Sequence, residues 1–308
     1  MTRRPEALGW KLRGHLAAPD RPHEIEISSE AGAARQTRID GKPAPQTALA
    51  KLCRVLWLIP SMDRLWIEGA EGRRRFLDRA TLSFEPLHGE AVLTFEKAMR
   101  ERNRLLKDMV RDPHWYGVLE RQMADAGTLI DANRRATLIR LGEAQEGAET
   151  AFPFADLSLA QSDGSLPTDA EEYAALLAEG RARDLAAGRT LQGPHRSDLL
   201  ATYRAKGVAA KDCSTGEQKA LLVSLILANA RALKEDIGTP PLILLDEVAA
   251  HLDADRRAAL YDEIVALGAQ AWMTGTGPEL FDALGDRASY VEVTEVEGTS
   301  VVSQGAPA

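Results

Sequence analysis

Leu242 to Leu245 form a run of four apolar residues that ends directly on two acids, Asp246 and Glu247. A short apolar run bounded in this way reads as a buried strand whose carboxyl end opens into a site. In open α/β sheets, ligands gather at that end. An aspartate there can hold Mg²⁺, and an adjacent glutamate can orient a water for attack on a phosphoryl group. Roughly thirty residues earlier, "CSTGEQKALLVSLILANARAL" (Cys213 to Leu233) places Ser214, Thr215 and Gly216 where a helix begins. The free N–H groups and the positive dipole end of a helix start suit a phosphate. Ser214 adds a hydroxyl donor, and Gly216 lets a ligand approach the backbone closely. A capping box, with Ser214 as cap and Glu217 three residues on, accounts for the same residues and is favoured for this stretch alone. The order of the motifs, with Leu252-Asp253 and a further helix after the acids, tips the balance toward the Walker B side of a nucleotide site.

Three other stretches could carry chemistry. "MTGTG", Met273 to Gly277, ends a strand in Thr274-Gly275-Thr276 and can point hydroxyls at the same end of the sheet; a plain Gly-rich turn fits equally well. "GRRRFLDR" gathers Arg73, Arg74, Arg75 and Arg79 over nearly two helical turns, so they cannot all face one way. Contact with DNA phosphates and internal pairing with the chain's surplus acids both remain open for them. Arg100, Arg102 and Arg104 read as a solvated helix face with partners such as Glu96 and Glu101. His195, in "GPHRSDL", has neither Ser–His–Asp spacing nor a metal partner, so a structural turn with a polar bridge is the reading for it.

The elements that must position these residues alternate in character. Short period-two pieces, "HEIEISS" and "RQTRIDGK", with the turn pair Asp40-Gly41, predict a small antiparallel sheet within 9–40. A short helix over 46–52, a buried strand from Cys53 to Pro60 and a helix in "RRRFLDRATLSF" follow. Within 86–150, Phe95, Met99, Leu106 and Met109, then Trp115, Leu119, Met123, Ile130 and Leu141, recur at helical spacing on either side of Asp112-Pro113, predicting an antiparallel helical hairpin. "FADLSLA" reads as a strand, and Thr168 with Glu171 as a capping box opening a helix that runs to about Gly188. Strands and helices alternate again from 190, with 242–245 apolar without alternation and hence expected to be buried on both faces. The sum is an α/β head of residues 1–85 and 190–308 interrupted by a helical subdomain, 86–189.

Composition sets bounds. A chain of 308 residues with 44% hydrophobic and 27% charged residues is long enough for two globular units. No apolar run reaches the length of a membrane span, and the basic N-terminus lacks the apolar stretch of a secretory signal. Cys53 and Cys213 stand far apart without metal-ligand spacing, which fits the cytoplasm. With a formal net charge of −8, any attraction to nucleic acid has to come from a local basic face.

Taken together, "VLWLIPSMDRLWIEGAEGRRRFLDRATL", "FEKAMRERNRLL", "GPHRSDL", "CSTGEQKALLVSLILA", "PLILLDEVAAHLD" and "WMTGT" resemble, in order and over nearly the whole chain, the RecF family of DNA replication and repair proteins. That family lies within the SMC-like ABC ATPases. The resemblance implies an ABC-type head that dimerises on ATP, the signature of one head capping the nucleotide of the other. It implies ATP and Mg²⁺ as cofactors, and as partners DNA, RecR- and RecO-type mediator proteins and a second copy of the chain, with no membrane. Carried over, Ser214 and Gly216 hold the γ-phosphate in trans, with Gln218 beside them, Asp246 binds Mg²⁺ through water, and Glu247 orients the attacking water. Asp253 sits at the dimer seam, and Thr274 or Thr276 stands where related proteins have a switch histidine. The family's phosphate loop, GxxxxGK[ST], does not occur in the 308 residues; Gly41-Lys42 is followed by Pro43. The expectation is that Met1 falls partway into the first lobe, past the phosphate-loop segment, and that the chain alone holds nucleotide weakly. The rival reading is a head-like scaffold that binds DNA or a partner without nucleotide.

Overall fold

In a computed structural model that describes residues 8–18, 20–30, 33–45, 48–162 and 164–305, the first sheet is set by its turns. Strands β1 (Trp10–Ala17), β2 (Pro22–Ser29), β3 (Gln36–Ile39) and β4 (Lys42–Ala44) pair antiparallel in that order. Asp40 and Gly41 join the last two, both at positive φ (52° and 76°), the twist that a two-residue hairpin needs. Hydrogen bonds from the His23 ring and the Glu24 N–H hold the Asp40 carboxyl down at about 2. Helix α1 (Leu49–Leu52) follows. Residues 46–47 of the helix expected there, 1–7 of the basic N-terminus and 306–308 of the tail lie outside the described residues.

Strand β5 (Val55–Leu58) leads to α2 (Ala70–Phe84) and then to the helical hairpin of α3 (His88–Lys107) and α4 (Pro113–Glu146). Asp112 caps α4 by accepting from His114 N–H at 2.9 Å, with Pro113 in the first turn, where its missing N–H costs nothing. Phe95, Met123 and Ile130 close the hairpin's own core with Tyr173 and Leu177. Met109 and Trp115 are exceptions to the expected apolar face: Met109 lies past the end of α3 at φ 53°, and both side chains are exposed. Arg102 departs further from expectation. It is fully buried rather than solvated, and holds Glu120, Asp184, Thr190 and the Leu177 carbonyl at 2.6–3.2 Å. A guanidinium can be buried only where its donors are met by acceptors and opposite charge.

Strand β6 (Ala155–Ala160) precedes α5 (Ala170–Glu179) and α6 (Arg181–Ala187). The cap of α5 is Asp169, not Thr168: its carboxylate accepts from the N–H groups of Glu171 and Glu172. Strands β7 (Asp198–Tyr203) and β8 (Val208–Ala209) join β6 in an antiparallel sheet. Phe152 and Ala155 therefore enter the core of the α/β head, although they fall inside the stretch read as helical, 86–189.

Helix α7 (Thr215–Ile237) is buried without interruption from Gln218 to Ala230, so it is the central helix of the head. Then come β9 (Leu242–Leu245), α8 (Ala254–Leu267), β10 (Ala271–Met273), a 3-10 segment from Pro278 to Arg287, and the hairpin of β11 (Val291–Val296) and β12 (Thr299–Gln304). Strands β10, β9 and β5 form a parallel sheet in that order, with Trp57 opposite Leu244 and Leu244 opposite Trp272. Its strands are not buried on both faces. Leu56, Leu58, Ile243 and Leu245 join the core, whereas Leu244 is 39% and Trp272 61% exposed on the other side. The alternation is that of any pleated strand; uniform apolar sequence hides it.

Candidate functional site

The parallel ladder extends one residue past its strands. Asp246 N–H donates to the Leu58 carbonyl at 2.9 Å, and Thr274 N–H to the Leu245 carbonyl at 3.0 Å. This places the first residue after β9 beside the first after β10, both at the carboxyl end of the sheet. The Thr274 hydroxyl donates to Asp246 Oδ1 at 2.6 Å and accepts the Glu247 N–H at 3.1 Å. Glu247 takes φ 53°, a left-handed conformation that a residue with a side chain adopts at a cost of about 1–3 kcal/mol. The hydroxyl of Thr274 helps hold it there. Both acids are exposed, so their carboxylates are open to a ligand. Thr276 is exposed and takes no part in this arrangement.

The start of α7 is a second, separate feature. Ser214 caps it in a complete capping box: Ser214 N–H and hydroxyl donate to Glu217 Oε2 at 2.9 and 2.8 Å, and Glu217 N–H donates back to the Ser214 hydroxyl. Lys206 pairs with the same glutamate. Its hydrogen bond, then those from Ser214, draw the Glu217 carboxyl down to about 2. Gly216 faces open space, with nothing near the position of a β-carbon. The box thus organises the turn while leaving the helix end approachable. Gln218, expected among the ligand contacts, is instead buried. Its amide nitrogen donates to the carbonyls of Lys211 and Cys213, tying the preceding turn to the helix. Trp66 donates to the Gln218 carbonyl at 3.2 Å, and buried Lys219 meets Asp63, so the turn is braced from both sides. Among the described residues, no hydrogen bond or ion pair joins this helix end to Asp246 or Glu247.

Asp253 caps α8, accepting from Arg256 N–H at 2.8 Å, and its side chain stays exposed. The arginine trio separates. Arg73 is turned inward. It makes a two-pronged pair with Asp198 at 2.7 and 2.8 Å and donates to the carbonyls of Leu65 and Glu68, so it belongs to the fold and not to a DNA-contacting face. Arg74 reaches the Ser197 carbonyl at 2.8 Å. Arg75 points outward and, among the described residues, pairs only with Glu71, one turn back on the helix.

Sequence reading missed the residue that locks the "GPHRSDL" turn. Arg134, from the middle of α4, grips Asp78 of α2 at 2.7 and 2.9 Å and also donates to the Pro194 carbonyl and the Ser197 hydroxyl. No local pattern marks it, because its partners lie far away in the chain. His195 acts as the turn's polar bridge, its Nε2–H donating to the Thr190 carbonyl at 3.2 Å. Burial, with the positive charges of Arg196, Arg74 and Arg134 around it, pushes the ring down to about 4, so it is neutral at physiological pH.

No protein-family model matches the chain. Among curated proteins, it is 50% identical over 273 residues to a DNA replication and repair protein RecF of Rhizobium meliloti, covering 86% of this chain and 73% of that one. It is 46% identical over 307 residues to the RecF of Rhizobium etli, covering 96% and 82% of the two chains. The RecF of Brucella suis is 48% identical over 278 residues, covering 87% and 72%. Among solved structures, the recombination mediator protein RecF with ATP, of the RecFOR pathway, superposes with a TM-score of 0.80 at 21% identity, covering 99% of this chain and 82% of that one. An Smc head bound to the C-terminal winged-helix domain of ScpA gives 0.50 at 11% identity, covering 97% and 74%. These structural likenesses show that the chain has the fold of RecF and of the Smc head.

Proposed function

The chain belongs to the RecF family of DNA replication and repair proteins, and from that premise we propose that it is a head with ATP-gated binding to DNA, whether single-stranded, gapped or duplex, that assists recombinase loading. The observation that carries this reading is the meeting of Asp246, Glu247 and Thr274 at the carboxyl end of β9. The exposed Asp246 carboxylate, oriented by the Thr274 hydroxyl and followed in the chain by exposed Glu247, offers oxygen donors of the kind that fit Mg²⁺ beside nucleotide phosphates. When bound, Mg²⁺ and ATP supply a phosphoryl group polarised for attack. Asp246 would hold the ion, Glu247 would orient the attacking water, and Thr274, bonded to the Asp246 carboxylate and the Glu247 N–H, would fix the spacing of the two. Ser214 and Gly216, at the open end of α7, would take the γ-phosphate of nucleotide held by a second copy, and Asp253 would lie at the seam.

A solved RecF is described with ATP, which favours this reading over a scaffold that works without nucleotide. The 308 residues contain no GxxxxGK[ST] stretch, so this chain by itself holds nucleotide weakly, through the metal side of the site. DNA, mediator proteins of the RecO and RecR type and a second copy are its partners, in the cytoplasm. Among the described residues no helix is long and apolar enough to cross a membrane.

Equilibrium dialysis with ATP and Mg²⁺ tests the site. Weak binding that requires Mg²⁺ and disappears in Asp246→Asn is the expected result. Equal binding by wild type and Asp246→Asn, with or without the ion, removes the acid pair from the nucleotide site.

A further inference from the structure

The turn at 193–197 closes one end of a cleft between α2 and the helical hairpin, with a volume of about 420 Å³. Val92, Ile130 and Pro194 give it an apolar floor, and Arg74, Arg75 and Arg134 line its walls. Three carboxylates also reach it, and each is engaged: Asp78 by Arg134 and His88, Glu96 by Arg100, and Glu71 by Arg75. Arg74 is left without a carboxylate among the described residues, its one hydrogen bond going to a backbone carbonyl. Burial and the nearby charge of Arg134 disfavour its charged form, and the carboxylates of Asp198 and Glu71 offset this in part. Arg196, on the same turn but outside the cleft's lining, has no side-chain partner among the described residues, and its charge is felt by Arg74 and His195 alike. The lining balances three arginines with three carboxylates, and of the three arginines Arg74 alone has no ion-pair partner among the described residues.

An under-compensated, half-buried guanidinium beside a second one that is held only by an exposed ion pair is suited to a phosphate. The planar forks of arginine match phosphate oxygens two at a time. The Arg75–Glu71 pair, 71% and 73% exposed, contributes little and can be exchanged for a ligand. We propose that this cleft receives a backbone phosphate of single-stranded DNA, bound by Arg74 and Arg75, with the adjoining sugar and base against the partly exposed Val92. The inference rests on the DNA-binding reading above and locates it. Single-stranded DNA fits better than duplex because an apolar floor beside the cations can be reached only by an unpaired base; a duplex presents phosphates to the rim alone.

Fluorescence anisotropy with a labelled oligothymidylate of about twenty nucleotides, in ATP and Mg²⁺ at concentrations that saturate the weak nucleotide site, tests this on the whole chain. Arg75→Glu, a change at an exposed side chain, should weaken binding on the order of tenfold and lower the slope of log affinity against log salt by about 0.7 for each phosphate no longer neutralised. Arg74→Gln should weaken binding similarly, Arg74→Lys less, and Arg287→Ala, at a distant surface ion pair, not at all. A polyglutamate peptide should fail to displace the strand, and duplex affinity should be less sensitive to these changes. If folded Arg75→Glu binds the strand with unchanged affinity and slope, or if polyglutamate competes as well as unlabelled oligothymidylate, the cleft is not the phosphate site, while the DNA-binding reading stands. If wild type binds no DNA, both fall.

Discussion

Thr274 Oγ1 lies 2.6 Å from Asp246 Oδ1, and the same oxygen accepts the N–H of Glu247. One hydroxyl thus ties the carboxylate that suits a metal to the backbone of the residue that suits a water. Thr274→Val keeps the shape and removes both bonds. It should cost about 0.5–1.5 kcal/mol of stability by denaturant unfolding, and speed amide exchange at 246–248. Thr274→Ser should restore both. Equal exchange in the valine and serine variants would show that the hydroxyl does not hold Glu247.

The buried Arg102 cluster should respond far more strongly than any surface pair. Arg102→Met leaves Glu120 and Asp184 buried with part of their counter-charge gone, although Arg181 still pairs with Glu120. A loss of about 3–5 kcal/mol is expected, read by chemical denaturation. Arg100→Ala, two residues away on the exposed side of α3, should change stability by less than about 0.5 kcal/mol.

Neighbouring arginines on α2 should likewise part company. Arg73→Ala breaks a two-pronged pair with Asp198 and releases the carbonyls of Leu65 and Glu68. A loss of about 2–3 kcal/mol is expected for such charged hydrogen bonds, seen as a lower unfolding midpoint. Arg75→Ala should leave the midpoint nearly unchanged. Similar midpoints for the two variants would contradict the inward placement of Arg73.

His195 makes stability depend on pH in a defined window. Above its ordinary value of 6.5, the ring is neutral in both folded and unfolded chains and has no effect. Between 6.5 and about 4 the unfolded chain takes up a proton that the folded chain does not, so stability falls as pH falls; below about 4 the loss is complete. At about 1.4 kcal/mol for each pH unit of separation, the full loss is on the order of 3 kcal/mol. His195→Gln keeps a donor for the Thr190 carbonyl and cannot titrate in this range. Unfolding free energies measured from pH 7 to 4 should therefore fall less steeply in this variant, and parallel curves would remove His195 as the cause.

Gly193 is held at φ 143°, and a β-carbon there would sit 2.4 Å from the Tyr173 hydroxyl and 3.0 Å from His195 Nδ1. Gly193→Ala therefore suffers both backbone strain and a clash. Its midpoint should drop by at least as much as that of Arg73→Ala, whereas Gly142→Ala, on a helix with open space around it, should be neutral or stabilising.

The elements and the acid pair were legible in the sequence because their signals are local. Asp40-Gly41 sets a turn, Asp112-Pro113 starts a helix, and an apolar run followed by Asp246-Glu247 ends a strand. Burial was harder to read. Arg102 sits among charges in sequence and looks solvated, yet its partners arrive from α4 and α6. Arg73 and Arg75 lie two residues apart and meet opposite fates, because only the fold decides which one faces Asp198. Leu244 is as apolar as its neighbours, and its exposure depends on which elements cover the sheet. The bridging role of Thr274 depends on the adjacency of β9 and β10, which no spacing within either strand encodes.

If Glu247 carries the proposed role of orienting water, its left-handed backbone sets folding and activity against each other. A collection of variants sorted only for robust folding should enrich glycine at that position, since glycine accepts the conformation freely. The same collection sorted for repair of damaged DNA in cells should retain the acid. The residue favoured by endurance and the residue favoured by work would then differ at one position, and the gap between the two sorted populations would measure how much folding free energy natural selection has left unclaimed there.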